Sequence, residues 1–155
     1  MTPRKADLKE AQAIRDLINL AFRVEEFFIE GDRISLDEVQ SRFETGEFLV
    51  SDTVRGNGLS GAVYIEPRGQ RAYLGLLSVH PAHQRVGIGQ ILVAVAERRC
   101  RELGCAFMDL QIVNLREELP PFYRRLGYTD RGTEPFPADV PTKLPCHFIK
   151  MSKPL

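Results

Sequence analysis

No apolar run in this 155-residue chain comes near the roughly 18 residues that a membrane-spanning helix needs. The first twenty residues also lack the basic, apolar and small-residue succession of a secretory signal, so a cytoplasmic protein with no membrane partner is expected. Neither sign of charge is in excess, with 21 Lys and Arg against 21 Asp and Glu. Generic nucleic-acid binders hold phosphate with a cationic surplus, so no nucleic-acid partner is expected of so balanced a chain. Cysteine is scarce: Cys100, Cys105 and Cys146 are an odd set without regular spacing and read as reduced thiols rather than a disulfide framework. His80, His83, Cys146 and His147 contain no tight pair with structural-zinc spacing, and Ser78, His80 and Asp109 have no nucleophile turn. Neither a metal site nor a hydrolytic triad is expected.

What is present suits an ordinary globular domain: 43% hydrophobic and 27% charged residues in a length that fits one unit spanning residues 1–155. Ala11, Ile14, Leu17, Ile18, Ala21 and Phe22 recur at helical spacing within residues 7–22, behind a capping pair, Asp7 and Glu10. Ser35 and Glu38 repeat that pair before a short helix ending near Gly46. The apolar period then changes to that of strands at 48–54, 59–65 and 72–79, which predicts a three-strand meander. A helix, a strand at 106–113, a short helix opened by Pro120 and Pro121, and strands near 128–132 and 146–151 follow, with a proline-rich loop at 133–145. This order predicts a mixed α/β (α+β) fold, a mostly antiparallel central sheet with helices on both faces.

Two glycine patterns compete for meaning. Gly56, Gly58 and Gly61 spell G-x-G-x-x-G, but Leu59 begins a strand, whereas a dinucleotide site needs a helix there. Asn57 and Gly58 are expected instead to supply the positive φ angles of a hairpin turn. The stretch VHPAHQRVGIGQIL, residues 79–92, has the other context, a strand running into Gly87 and Gly89 and then a helical stripe from Ile88 to Leu103 closed by Gly104. Leu92 stands where a dinucleotide site wants its third glycine, which weakens that reading. Backbone N–H groups from Arg85 to Gln90 would lie at a free helix N-terminus, where unpaired donors and the helix dipole favour an anion. The spacing favours a diphosphate, with a glycine-softened helix start that binds nothing as the alternative.

The pattern Q-x-x-G-x-G at Gln84, Gly87 and Gly89, together with N-(x)8-Y-x-x-x-G-Y at Asn114, Tyr123, Gly127 and Tyr128, resembles the GCN5-related N-acetyltransferases (GNAT). The resemblance covers roughly residues 46–151. It implies an acetyltransferase using acetyl-coenzyme A as co-substrate, with no metal, on a primary amine of a small molecule or peptide, in a monomer or homodimer. Backbone groups of Leu77 and Val79 would pair with the pantetheine arm, and the pyrophosphate would sit on the amides of Gln84, Arg85, Val86, Gly87, Ile88, Gly89 and Gln90. Asn114 would hydrogen-bond the arm, and Tyr123 would stand near the sulfur as general acid. The Val79 amide is the candidate donor to the oxyanion.

Two departures shape the expectation. Asn114 and Tyr123 are nine apart, where seven is more familiar, so the paired prolines should kink the chain before the helix. Tyr73 occupies the strand position where relatives often carry a glutamate base. A lysine-like amine costs about 4.6 kcal/mol to hold neutral at pH 7, so a base is needed, with Glu66, Glu25, Glu26 and Glu30 as candidates beside the reading of plain surface carboxylates. Acceptor recognition should fall to the VEEFFIEGD connector and the proline-rich loop, the acids hinting at a cationic amine and Phe27 and Phe28 at an apolar portion. The missing glutamate leaves a non-catalytic acyl-CoA-binding module as the alternative, and a protein-interaction domain without ligand as a third.

Overall fold

The computed structural model describes residues 2–84 and 86–155. Seven strands, β1 (Arg4–Lys5), β2 (Glu47–Asp52), β3 (Leu59–Arg68), β4 (Arg71–Val79), β5 (Phe107–Val113), β6 (Thr129–Pro135) and β7 (His147–Pro154), form one sheet in the order β1-β2-β3-β4-β5-β7-β6. Among the described residues only the β4–β5 pairing is parallel. Four α-helices accompany them, α1 (Ala11–Ala21), α2 (Leu36–Thr45), α3 (Ile88–Glu102) and α4 (Leu119–Arg125).

Both predicted capping boxes form. The Asp7 side chain accepts from Lys9 N–H in a box completed by Glu10, although the first turn is a 3-10 helix. Ser35 and Glu38 exchange the corresponding bonds at the start of α2. The sheet separates two apolar clusters by strand alternation. Phe48, Val50, Ala62 and Tyr64 face α1 and α2, with Ile14, Leu17 and Ile18. Leu49, Val63, Ile65 and Leu74 face α3, with Leu92, Val93, Ala96 and Cys100. The Glu47 carboxylate holds Arg99 of α3 through two bonds of 3.0 and 2.9 Å.

The meander forms as expected, and of the G-x-G-x-x-G stretch Gly56 and Gly58 lie in its β2–β3 turn while Gly61 is already in β3. Asn57, however, does not take a positive φ; Gly56 and Gly58 do. Thr53 closes a longer loop, its N–H donating to Gly58 O and its hydroxyl bonded to Asn57 Oδ1 at 2.7 Å, so no two-residue turn is required.

The feature that positions the site is a tear in the sheet. β4 and β5 pair only at Arg71–Phe107, Ala72–Met108 and Tyr73–Asp109, and from there the strands part. β4 also carries a bulge, because Gly75 pairs with Tyr64 and Ser78 with Ala62, leaving two residues, Leu76 and Leu77, against Val63. Leu76 takes up the distortion with φ 55°, a left-handed conformation that costs a leucine about 1–2 kcal/mol.

Candidate active site

The open half of β4 forms one wall of a slot. His80 N–H donates to Ser60 O at 2.8 Å, so by antiparallel alternation the N–H and C=O of Val79 turn away from β3, toward the side that β5 has left. Leu77 lies in the bulge, two residues before Val79 on the same strand. The amide of Gln84 reaches back to the Val79 carbonyl at 3.3 Å.

At the mouth stands the start of α3. Gly87 is its N-cap at φ 81°, a conformation that glycine adopts without strain, and no side chain caps the helix. Ile91 N–H is satisfied by Gly87 O at 3.1 Å. The N–H groups of Ile88, Gly89 and Gln90 have no acceptor among the described residues, as a helix N-terminus dictates. Val86 is exposed beside them, and Arg85 lies outside the described residues. A Cβ on Gly89 would stand 3.5 Å from Phe122 Cζ, 3.7 Å from Val79 Cγ2 and 3.9 Å from Leu77 Cδ2. The glycine therefore leaves a methyl-sized opening between α3, β4 and α4.

The opposite wall comes from β5 and the segment after it. Asn114 N–H donates to His147 O at 2.9 Å, and Asn114 Oδ1 accepts from His147 N–H at 2.8 Å. The oxygen of the side chain is thus committed, and only its NH2 remains to donate. The extra residues before α4 are absorbed as a turn, with Arg116 N–H on Val113 O and Leu119 N–H on Arg116 O. Pro120 and Pro121 sit in the first turn of α4, where a missing N–H costs nothing. The long spacing therefore does not withhold Tyr123. It is buried, edge-on to Phe122 and Tyr128 with centroids 5.0 and 5.7 Å away.

The Tyr123 hydroxyl has no hydrogen-bond partner among the described residues, yet no sealed side-chain oxygen there lacks one. Burial pushes its pKa well above the ordinary phenol value, against the pull of nearby Arg116 and with a further push from Tyr73. Tyr128, by contrast, donates to Glu97 at 2.8 Å, which Lys153 neutralises, so it supports the wall rather than facing the slot.

The four carboxylates considered as bases separate by environment. Glu66 accepts from Tyr64 and Arg68, and Glu26 and Glu30 are exposed. Glu25 is only 6% exposed and accepts from Arg116 Nη1 at 3.0 Å. Its burial raises the carboxyl pKa, partly offset by Arg116, and its charge contributes to the upward shift of Cys146. Glu25, Arg116, Tyr123 and Cys146 are thus one electrostatic neighbourhood. Arg116 was not foreseen: a lone arginine in an aperiodic turn carries no sequence signal, and its partner lies far away in the chain.

The connector and the proline-rich loop meet above this neighbourhood. Ile29 bridges Thr142, Lys143 N–H donates to Phe28 O, and Lys143 Nζ donates to Glu26 O. Phe28 is fully buried and cannot offer an apolar surface to a ligand, whereas Phe27 is exposed. Among the described residues no helix is long and apolar enough to cross a membrane, and no group of three or more His, Cys, Asp or Glu is placed to hold a metal ion.

The same architecture recurs in solved acetyltransferases. A putative acetyltransferase, yncA, from Salmonella typhimurium, solved with acetyl-CoA, matches with TM-score 0.78 and 21% identity over 99% of this chain and 93% of its own. The ribosomal-protein-S18-alanine N-acetyltransferase of Escherichia coli matches with TM-score 0.77 and 16% identity over 99% and 92%. A phosphinothricin acetyltransferase from Sinorhizobium meliloti, in complex with acetyl-CoA, matches with TM-score 0.77 and 20% identity over 100% and 89%. At these identities the likeness is one of fold. No curated protein sequence matches this one. The sequence itself fits the model of the Acetyltransferase (GNAT) family over residues 11–128, and the chain belongs to that family.

Proposed function

We propose that this domain transfers an acetyl group from acetyl-CoA directly to a primary amine of a small molecule or peptide. The observation that carries the reading is the slot itself. Main-chain groups of Val79 turned away from β3, with Leu77 before it on the same strand, lie where β4 and β5 part, together with amides at Ile88, Gly89 and Gln90 and a Tyr123 hydroxyl that have no hydrogen-bond partner among the described residues. These residues fit a long, thin thiol carrier with a diphosphate, and two structural relatives were solved with acetyl-CoA, which supports that co-substrate.

The carrier supplies an activated acetyl carbonyl and a thiolate leaving group. Leu77 and Val79 hold the arm as a strand would be held, and Asn114 donates its remaining NH2. The first-turn amides of α3 receive the diphosphate, each charge-assisted bond contributing about 1.5–3 kcal/mol. The Val79 N–H is oriented to donate to the carbonyl oxygen as negative charge develops. Tyr123, held protonated by burial, hands its proton to the departing sulfur. Glu25 provides the carboxylate that β4 lacks. Its raised pKa makes it a stronger base than a surface glutamate, and Arg116 limits that rise.

A thiol-release assay with a panel of amines tests the reading, alongside thermal shift with CoA. Turnover on at least one amine, reduced by Tyr123→Phe, supports it. Tight acetyl-CoA binding with no turnover on any amine, and indifference to that substitution, would favour a non-catalytic acyl-CoA-binding module. Absence of any shift with CoA would leave an interaction domain without ligand.

A further inference from the structure

α1 packs on β3 and β4 and α2 on β2, so among the described residues neither helix makes a substantial contact with β5, β7 or β6 on that side of the sheet. The uncovered face forms a groove of about 660 Å³ floored by Tyr73, Asp109, Gln111, Lys150 and Ser152 and walled by Arg42 of α2 and Arg131 of β6. Its charges are not balanced as the whole chain's are. Asp109 is already neutralised by a two-bond pair with Arg71, both bonds 2.6 Å, and by the Ser152 hydroxyl. Arg68 is paired with Glu66. That leaves Arg42, Arg131 and Lys150 without a carboxylate in salt-bridge range among the described residues, against one unpaired acid, Glu134.

Each of the three cations is placed by the backbone. Arg42 stacks its guanidinium 4.9 Å from the Tyr64 ring centroid. Lys150 has Gln111 and Gly132 as its cross-strand partners, neither of which offers an acid. Arg131 is the extra residue where the β6–β7 register shifts between Asp130 and Gly132, and a bulge re-aims a side chain. From β4 to β6 the groove crosses three strand spacings, about 14 Å, so no single carboxylate reaches all three. An extended peptide, at about 3.3 Å per residue, covers that span with four or five residues.

The groove also reaches the last strand pair before the slot opens. Its floor includes Tyr73, at the last β4–β5 pair before the strands part, and the Tyr73 ring folds over Gly75, where a Cβ would meet its hydroxyl at 2.8 Å. Tyr73 is close enough to Tyr123 to push the Tyr123 pKa upward. We infer that the acceptor is an acidic peptide laid across β4, β5, β7 and β6, its amine entering the slot past Tyr73. This rests on the acetyl-transfer reading. It replaces the cationic acceptor hinted at by the connector, whose Glu25 is answered by Arg116.

The test uses six-residue peptides with one free amine at the N-terminus, acidic, neutral (Gln and Asn) or amidine-bearing basic at positions 2–5, assayed for acetyl transfer and, separately, for binding by fluorescence anisotropy with CoA present. The acidic peptide is expected to show a KM at least tenfold below the neutral one, with similar kcat, and the gap should narrow in 0.5 M salt. The double variant Arg131→Glu, Lys150→Glu should favour the basic peptide while leaving the Kd for acetyl-CoA unchanged. Equal use of the three peptides, an unaltered preference in the double variant, or free glutamate serving as well as the acidic peptide would overturn the inference. Binding of the acidic peptide without acetylation of any peptide would instead count against acetyl transfer and keep the groove. Failure of the acidic peptide to bind rejects the groove whatever the turnover.

Discussion

Arg116 donates from Nη1 to Glu25 Oε2 at 3.0 Å across 91 positions of sequence, and the same guanidinium lies near enough to Tyr123 to draw its pKa down. The buried acid and the buried phenol therefore share one cation. Glu25→Gln should lower kcat about 100-fold, the usual scale for a lost general base. It should also remove the acidic limb of the kcat/KM profile, whose midpoint in the unsubstituted protein lies above that of an ordinary glutamate. Arg116→Gln should move that limb to higher pH and cost about 3 kcal/mol in urea denaturation, because it strands a buried charge. An acidic limb that survives in Glu25→Gln assigns the proton elsewhere.

Tyr123→Phe is an unusually clean substitution, because the hydroxyl gives up no bond within the described protein. Its melting temperature should match that of the unsubstituted protein. The kcat is expected to fall 10- to 100-fold with the KM for acetyl-CoA little changed. A loss of stability without loss of rate would reduce Tyr123 to a packing residue.

Gly89→Ala separates ligand exclusion from misfolding. The added methyl meets Phe122, Val79 and Leu77 at ordinary contact distances, so the fold should tolerate it. It would fill part of the opening, and the Kd for CoA by calorimetry should rise at least tenfold. Gly87→Ala also strains a residue at φ 81° and is expected to lose about 1 kcal/mol of stability besides.

Glu47 and Glu25 should give pH signatures of opposite sign. Arg99 holds the Glu47 carboxyl below its usual range, so this pair's stabilisation is present above the unfolded pKa near 4.3 and is lost as pH falls through the lower folded value. Glu47→Gln should cost about 1 kcal/mol at pH 7, and the cost should shrink as pH falls below the unfolded value. Glu25, with its pKa raised, favours the fold below the unfolded value and loses that contribution as pH rises through the folded one. Denaturation of each variant at several pH values distinguishes the two slopes.

Local chemistry was legible in the sequence and long-range geometry was not. The capping boxes at Asp7 and Ser35 depend on residues three apart, and the helix opened by Gly87 depends on a strand beside it. β1 is two residues long and carries no periodicity, so it was missed. The insertion of β7 between β5 and β6 is a choice of sheet neighbour that no strand states alone. The bulge at Leu76 hides in an uninterrupted apolar run. Glu25 was one of four equivalent acids until folding buried it, and Phe28 looked as available as Phe27.

Strands β4 and β5 keep company for three residue pairs and then separate. Bare strand margins are ordinarily a hazard, since any passing chain can add to them. Here the two margins start from one shared pair, Tyr73–Asp109, so whatever adds to one of them meets the other. Completing this sheet is thus a single event that engages both strands at once.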